Sequence, residues 1–234
     1  MKKIMTLAVA MATAAVCFAN GDVQPTSEPT YNNPGTEETK KYIVDLGLPS
    51  GTLWADRNVG AALPEDYGDY FAWGETSPKS NYRWSTLKYC EDDTGDRFSK
   101  YNSQSKYGSV DNKTTLESSD DAATANWGSN WCIPNQAQFQ ELKDKCTWIW
   151  TTRNGQNGYE VKGPNGNTIF LPAAGDRSGT DLDYAGSYGL YWSSSLRTDG
   201  PYLGRGLFFD SDDVNPDDWA SRQLGFTVRP VRRR

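Results

Sequence analysis

The sequence predicts an α+β fold: two helices set against a twisted, mostly antiparallel sheet, with long irregular loops. Three observations predict it. Asn130–Trp150 carries the only convincing amphipathic helical period. The segments after it are short alternating runs separated by Asn-Gly and Gly-Pro turn signals. The polar stretch 76–119 before it shows no period.

The main helix is built from Ala137, Phe139, Leu142 and Cys146, of which the last three fall at i, i+3 and i+7. Glu141, Lys143, Asp144 and Lys145 take the wet side. Pro134 suits a first turn, and Asn135 with Gln138 three residues on forms an alternative capping box. At Trp148 the period changes to alternation, so the helix ends near Cys146 and a strand begins at once. Phe139, Leu142, Trp148 and Trp150 are expected in the core, with Trp54, Trp73, Trp192 and Phe226.

The remaining elements follow in order. Tyr42–Leu46 and Leu53–Ala55 with Val59 read as strands around the turn at Pro49-Ser50-Gly51. The polar stretch 76–119 is expected to be pinned by its scattered aromatics: Trp84, Tyr89, Phe98, Tyr101 and Tyr107. A short second helix is expected over Asp120–Asn126, its two acids complementing the helix dipole. Trp148–Thr152, Tyr159–Lys162 and Thr168–Leu171 form a meander turned at Asn154-Gly155, Asn157-Gly158 and Gly163–Gly166. Asp176–Ser187 reads as a polar loop, and Leu190–Ser195 and Leu203–Asp210 as strands. Ser211–Ser221 reads as an acidic loop and Gly225–Val231 as a closing strand.

Residues 1–19 read as a secretory signal peptide, with Lys2 and Lys3, an apolar run from Ile4 to Val16 too short to span a bilayer, and Ala19. Cys17 carries the alternative of a lipid anchor. Residues 20–40 are polar, with three prolines, and read as a disordered linker to a single domain over 41–234. No other segment is apolar enough to cross a membrane. The expected location is therefore exported, secreted or held at the cell surface or outer membrane.

Thirty acidic residues against 24 basic ones argue against nucleic acid as a partner, and losing Lys2 and Lys3 widens the gap. Arg229, Arg232, Arg233 and Arg234 read as a basic tail. The chain has no histidine, which excludes Ser-His-Asp, Cys-His and HExxH chemistry. Gly186-Ser187-Tyr188-Gly189 is only a degraded nucleophile motif without a base. Cys90, Cys132 and Cys146 remain after the signal. An exported chain is oxidised, so one disulfide is expected, either Cys132–Cys146 or Cys90–Cys146. The first would close a loop of roughly fourteen residues, worth about 3 kcal/mol.

Several motifs together resemble a known family. They are Val44–Ala55 (VDLGLPSGTLWA), Gly68–Glu75 (GDYFAWGE), Asp120–Ala123 with Trp127-Gly128 and Trp131, Ile169–Gly175 (IFLPAAG), Tyr191–Ser195 (YWSSS) and Gly225–Val231 (GFTVRPV). The order and length of these motifs are similar to the Fibrobacter succinogenes major paralogous domain of secreted and surface proteins of gut Bacteroidetes. The likeness covers roughly residues 41–231 and departs at Cys132, where the family more often has arginine. It implies a C-type-lectin-like fold and a non-catalytic extracellular module that binds a protein or a glycan, with no cofactor. Formylglycine-generating enzymes share that fold, but their chemistry needs a cysteine pair near the C-terminus, and this chain has no cysteine after Cys146.

The fold so implied puts the ligand face on the loops before the last strand. The candidate binding residues there are Arg197, Tyr202, Arg205, Asp212, Asp213, Trp219 and Arg222. Aromatic faces cover the C–H surface of a sugar, and charged forks orient hydroxyls. Asp210, Asp212, Asp213 and Asp217 form a weaker candidate set for calcium, on ligand type alone. A carboxylate-based glycoside hydrolase and an adhesive surface component without a small-molecule site are the alternatives. A buried acid of raised pKa facing a second carboxylate across a cleft would favour the hydrolase.

Overall fold

The computed structural model describes residues 42–232. The expected export signal with Cys17, the expected linker, and Arg233 and Arg234 lie outside the described residues. The chain runs β1 (Ile43–Asp45) and β2 (Leu53–Ala55), then through a long irregular stretch to α1 (Ala122–Trp127) and β3 (Trp131–Cys132). Next come α2 (Gln136–Lys145), β4 (Thr147–Arg153), β5 (Gln156–Lys162), β6 (Thr168–Pro172), β7 (Asp176–Ser178) and β8 (Asp181–Asp183). It ends with β9 (Gly189–Leu196), β10 (Leu203–Phe209), β11 (Val214–Ser221) and β12 (Val231–Arg232). The α+β class holds, but the strands form four small sheets rather than one: β1-β2-β12-β3, β11-β10-β9, β4-β5-β6 and β7-β8. All of these strand pairs are antiparallel.

Local chemistry sets the elements. Asn135 Oδ1 accepts from the Gln138 N–H, and Gln138 Oε1 accepts from the Asn135 N–H, both at 2.9 Å, so the capping box opens α2. Phe139 and Leu142 are fully buried, and Cys146 caps the helix by donating its N–H to Leu142 O. β4 then starts at once, and Trp148 and Trp150 pack half-buried around Tyr159 and Phe209. Asn154 and Gly155 both have positive φ, which closes β4–β5 as a two-residue turn. The second Asn-Gly is not a turn. Gly158 lies inside β5 opposite Pro172, where an added Cβ would come within 2.2 Å of Leu171 O.

β12 is the structural keystone. Val231 pairs with Trp54 of β2 on one side and Cys132 of β3 on the other. Before it, Gly225, Phe226 and Thr227 make single bridges to Arg177, Phe71 and Tyr191, so the expected closing strand is regular only over its last two described residues. One core cluster lies between α2 and the meander, around Trp54, Phe139 and Phe209. A second gathers Trp73, Trp131, Trp192 and Phe226. A third, with Tyr70, Tyr82, Leu87 and Phe98, pins the irregular stretch 76–119, as its aromatics suggested.

Five expectations are corrected. Asp176–Ser187 contains the β7–β8 hairpin. Ser211–Ser221 is mostly β11, whose backbone bonds to β10 outweigh its acidic composition. Asp120 is not a dipole-compensating surface acid: it is fully buried, while Asp121 caps α1 by accepting from the Thr124 N–H at 2.8 Å. Arg229 is core, not tail. It is 0% exposed and its guanidinium donates to Asn58 Oδ1, Ala55 O and Phe170 O. No disulfide joins Cys90, Cys132 and Cys146. Cys132 lines the same hollow as Gln138 at the start of α2, whereas Cys146 caps its far end. Eight helical residues rise about 12 Å, beyond the roughly 7 Å a disulfide spans. Cys90 packs on the third cluster and Cys146 on the first.

Candidate functional site

The outer strands β10 and β11 build a small charged platform around one exposed indole. Trp219 is 50% exposed although it sits within a strand. Arg205 is its direct cross-strand partner, and Asp217 lies two residues from Trp219, hence on the same face of β11. Arg205 and Asp217 form a hydrogen-bonded ion pair. On the other side the Arg197 guanidinium stacks over Trp219, 4.1 Å from the ring centroid. Asp199 grips that guanidinium in a fork, Nε to Oδ1 at 2.7 Å and Nη2 to Oδ2 at 3.0 Å. The pair raises the Arg197 pKa and lowers that of Asp199, each mainly through their shared hydrogen bonds.

Two arginines are thus neutralised by two aspartates and hold an open aromatic face between them. Such a surface offers a flat apolar plane together with donors and acceptors at its edge. Arg197 Nη1 is buried and has no hydrogen-bond partner among the described residues.

Of the candidate binding residues, the structure assembles Arg197, Arg205 and Trp219 here. Tyr202 is turned away and packs on Tyr107, 5.6 Å between ring centroids. Asp212 and Asp213 lie in the β10–β11 turn, where their N–H groups donate to Asp210 Oδ1 at 2.9 Å. Arg222 is not a surface group. It is 0% exposed, donates to Pro201 O at 3.0 Å, and lies over the rings of Phe98 and Trp73. Asp199 was missed, although an acid two residues after an arginine in a turn is a readable pairing signal.

The acids proposed for calcium do not converge. Asp217 is committed to Arg205, and Asp210 to the turn backbone. Among the described residues no group of three or more acids, cysteines or histidines is placed to hold a metal ion.

One carboxylate pair stands elsewhere. Asp176 and Asp183 are cross-strand partners in the β7–β8 hairpin, and Asp176 is buried. Burial, then the charge of Asp183, push Asp176 up to about 6. An acid raised in the folded state costs nothing while protonated, and its cost develops as pH rises from about 4 to 6. Asp176→Asn is therefore expected to stabilise the protein by about 1–2 kcal/mol at pH 7.5 and by little at pH 4. Thermal melts of both proteins across that range check it, and equal melting temperatures at every pH would refute the cost.

Comparison with protein-family models, with curated proteins and with solved structures finds no match. No helix among the described residues is long and apolar enough to cross a membrane.

Proposed function

We propose that this chain is an exported, non-catalytic binding module of C-type-lectin-like fold, related to the Fibrobacter succinogenes major paralogous domain, and that it recognises a glycan or protein at the cell surface. The observation that carries the reading is the half-exposed Trp219 held between the Arg197–Asp199 and Arg205–Asp217 pairs. An indole left half-exposed inside a strand forgoes burial: Arg197 lies over one part of its ring, and the rest stays open. The signal-like N-terminus, the ordered motifs and the absence of histidine support export and binding rather than catalysis.

The test is a glycan array run with the purified protein, with calcium and with a chelator. Trp219→Ala is expected to weaken binding about 30-fold, or ~2 kcal/mol. Arg205→Ala weakens it less. Chelation leaves it unchanged, because Asp210 and Asp217 are already engaged. Binding that survives in Trp219→Ala would sink the platform. If no glycan binds, capture of envelope proteins by the wild type, lost in the variant, would identify a protein partner. The exposed indole also speaks against an adhesive component without a defined site.

A second reading, carboxylate-based glycoside hydrolysis, is favoured by the raised Asp176 beside Asp183. The two belong to one hairpin rather than to opposite walls, so the reading ranks second. New reducing ends from a polysaccharide, absent in Asp176→Asn and in Asp183→Asn, would establish it.

A further inference from the structure

A cavity of about 530 Å3 opens between residues 82–85, Asp93, the tip of the β7–β8 hairpin and Gln223. None of Arg197, Arg205, Asp217 or Trp219 lines it. We propose that this cavity is a second binding site, shaped for a neutral oligosaccharide. The proposal rests on the glycan form of the reading above and deepens it.

The volume lies within the range of small-molecule sites, about 300–1,000 Å3. One aromatic wall, Trp84, is fixed before any ligand arrives, and it stands beside a buried support. Tyr82 is buried, its hydroxyl donates to Tyr70 O at 2.6 Å, and its backbone exchanges two hydrogen bonds with Gly179 at the hairpin tip. Its ring lies so close over Gly225 that an added Cβ would meet it at 2.5 Å. Trp84 packs equally tightly on Gly95 and edge-on to Phe98. A preorganised, half-exposed indole suits the C–H face of a sugar at little cost in ordering.

The polar groups point to the ligand's chemistry. Gln223, a half-buried lining residue, keeps its Oε1 buried with no hydrogen bond among the described residues, an unmet acceptor in the wall. Sugar hydroxyls donate as well as accept. Asp93 and Asp181 are exposed carboxylates lining the cavity, ready to accept from hydroxyls. The exposed Arg83 makes no ion pair among the described residues and offers donors. Two acids against one guanidinium leave the cavity net negative. That disfavours a uronic acid or a phosphate and favours neutral hydroxyls. The mostly polar lining disfavours a lipid or another apolar ligand.

The two sites can be read separately in one experiment on the whole chain. The indole N–H signals of Trp84 and Trp219 are assigned by Trp84→Phe and Trp219→Phe and followed by nitrogen–proton NMR. The protein is titrated with neutral cello-, xylo- and manno-oligosaccharides and with acidic oligogalacturonate. The Trp84 signal is expected to shift saturably with at least one neutral series and not with oligogalacturonate. The double variant Asp93→Ala, Asp181→Ala is expected to weaken that response at least tenfold. It should leave the Trp219 response and the melting temperature intact, since both acids are exposed. If only Trp219 responds, the cavity proposal is overturned and the platform stands. If only Trp84 responds, the cavity stands and the platform fails. A preference for oligogalacturonate at Trp84, or no shift at either indole, overturns the proposal.

Discussion

Replacing Arg229 by leucine is expected to remove about 3–5 kcal/mol of stability, a large part of what a domain of this size possesses. The side chain is fully buried and forms no ion pair among the described residues. Its charge is compensated by oxygens from three separate segments: Nε to Asn58 Oδ1 at 2.8 Å, Nη1 to Ala55 O at 3.2 Å and Nη2 to Phe170 O at 2.7 Å. Burial lowers its pKa to about 10, so it stays charged at neutral pH. Leucine fills much of the space but leaves three buried acceptors without donors, at roughly 1–3 kcal/mol each before relaxation. Arg229→Lys keeps the charge yet cannot fork to three acceptors and is expected to lose about 2–3 kcal/mol. Urea unfolding followed by tryptophan fluorescence measures both. A loss below about 1 kcal/mol for leucine would show that the carbonyls find other partners.

Asp120 is the second point of large effect. Its Oδ1 accepts from the Lys88 ammonium at 2.9 Å and the Tyr89 hydroxyl at 2.6 Å. Its Oδ2 accepts from Lys100 at 2.5 Å and the Tyr101 hydroxyl at 2.6 Å. Tyr101 is held at φ +58, a left-handed conformation that costs a non-glycine residue about 1 kcal/mol. Its hydroxyl also accepts from the Glu117 N–H at 2.9 Å, so the carboxylate anchors the whole irregular stretch. Asp120→Ala is expected to cost about 3–5 kcal/mol. Asp120→Asn should cost nearly as much, because either amide orientation turns an NH2 group toward an ammonium. Burial opposes ionisation here, yet the four donors hold the Asp120 pKa well below the usual carboxylate range. The stabilisation is therefore present above about pH 4 and is lost as pH falls further. Wild-type stability should drop steeply on acidification, and the Asp120→Asn curve should be flatter there. Parallel curves would mean that Asp120 is not the titrating anchor.

What could be read in advance was local. The α2 helix announces itself through Asn135, Gln138 and a spaced apolar face, and the first meander turn through Asn154-Gly155. Trp219 was readable as a candidate because an indole among acids is out of place in a purely solvated loop. What could not be read depends on distant backbone. Arg222 and Arg229 look like surface charges until carbonyls from Pro201 and from Ala55 and Phe170 surround them. β11 reads as a loop because its acids show no apolar alternation, and it is a strand because β10 supplies its hydrogen bonds. As the edge of its sheet it gains from those charges, which discourage pairing with another chain. The cavity lined by Trp84 and Gln223 joins segments more than a hundred residues apart, which no window of sequence displays.

The position of β12 also orders events in time. A ribosome releases β2 and β3 long before Val231, yet these strands meet only through it. Arg229 and Asn58 are separated by 171 positions, and contacts of such separation form late because the intervening loop must first be closed. During synthesis the first sheet lacks its middle and the buried guanidinium is not yet in place. The first sheet is therefore completed only once the segment around Val231 has emerged.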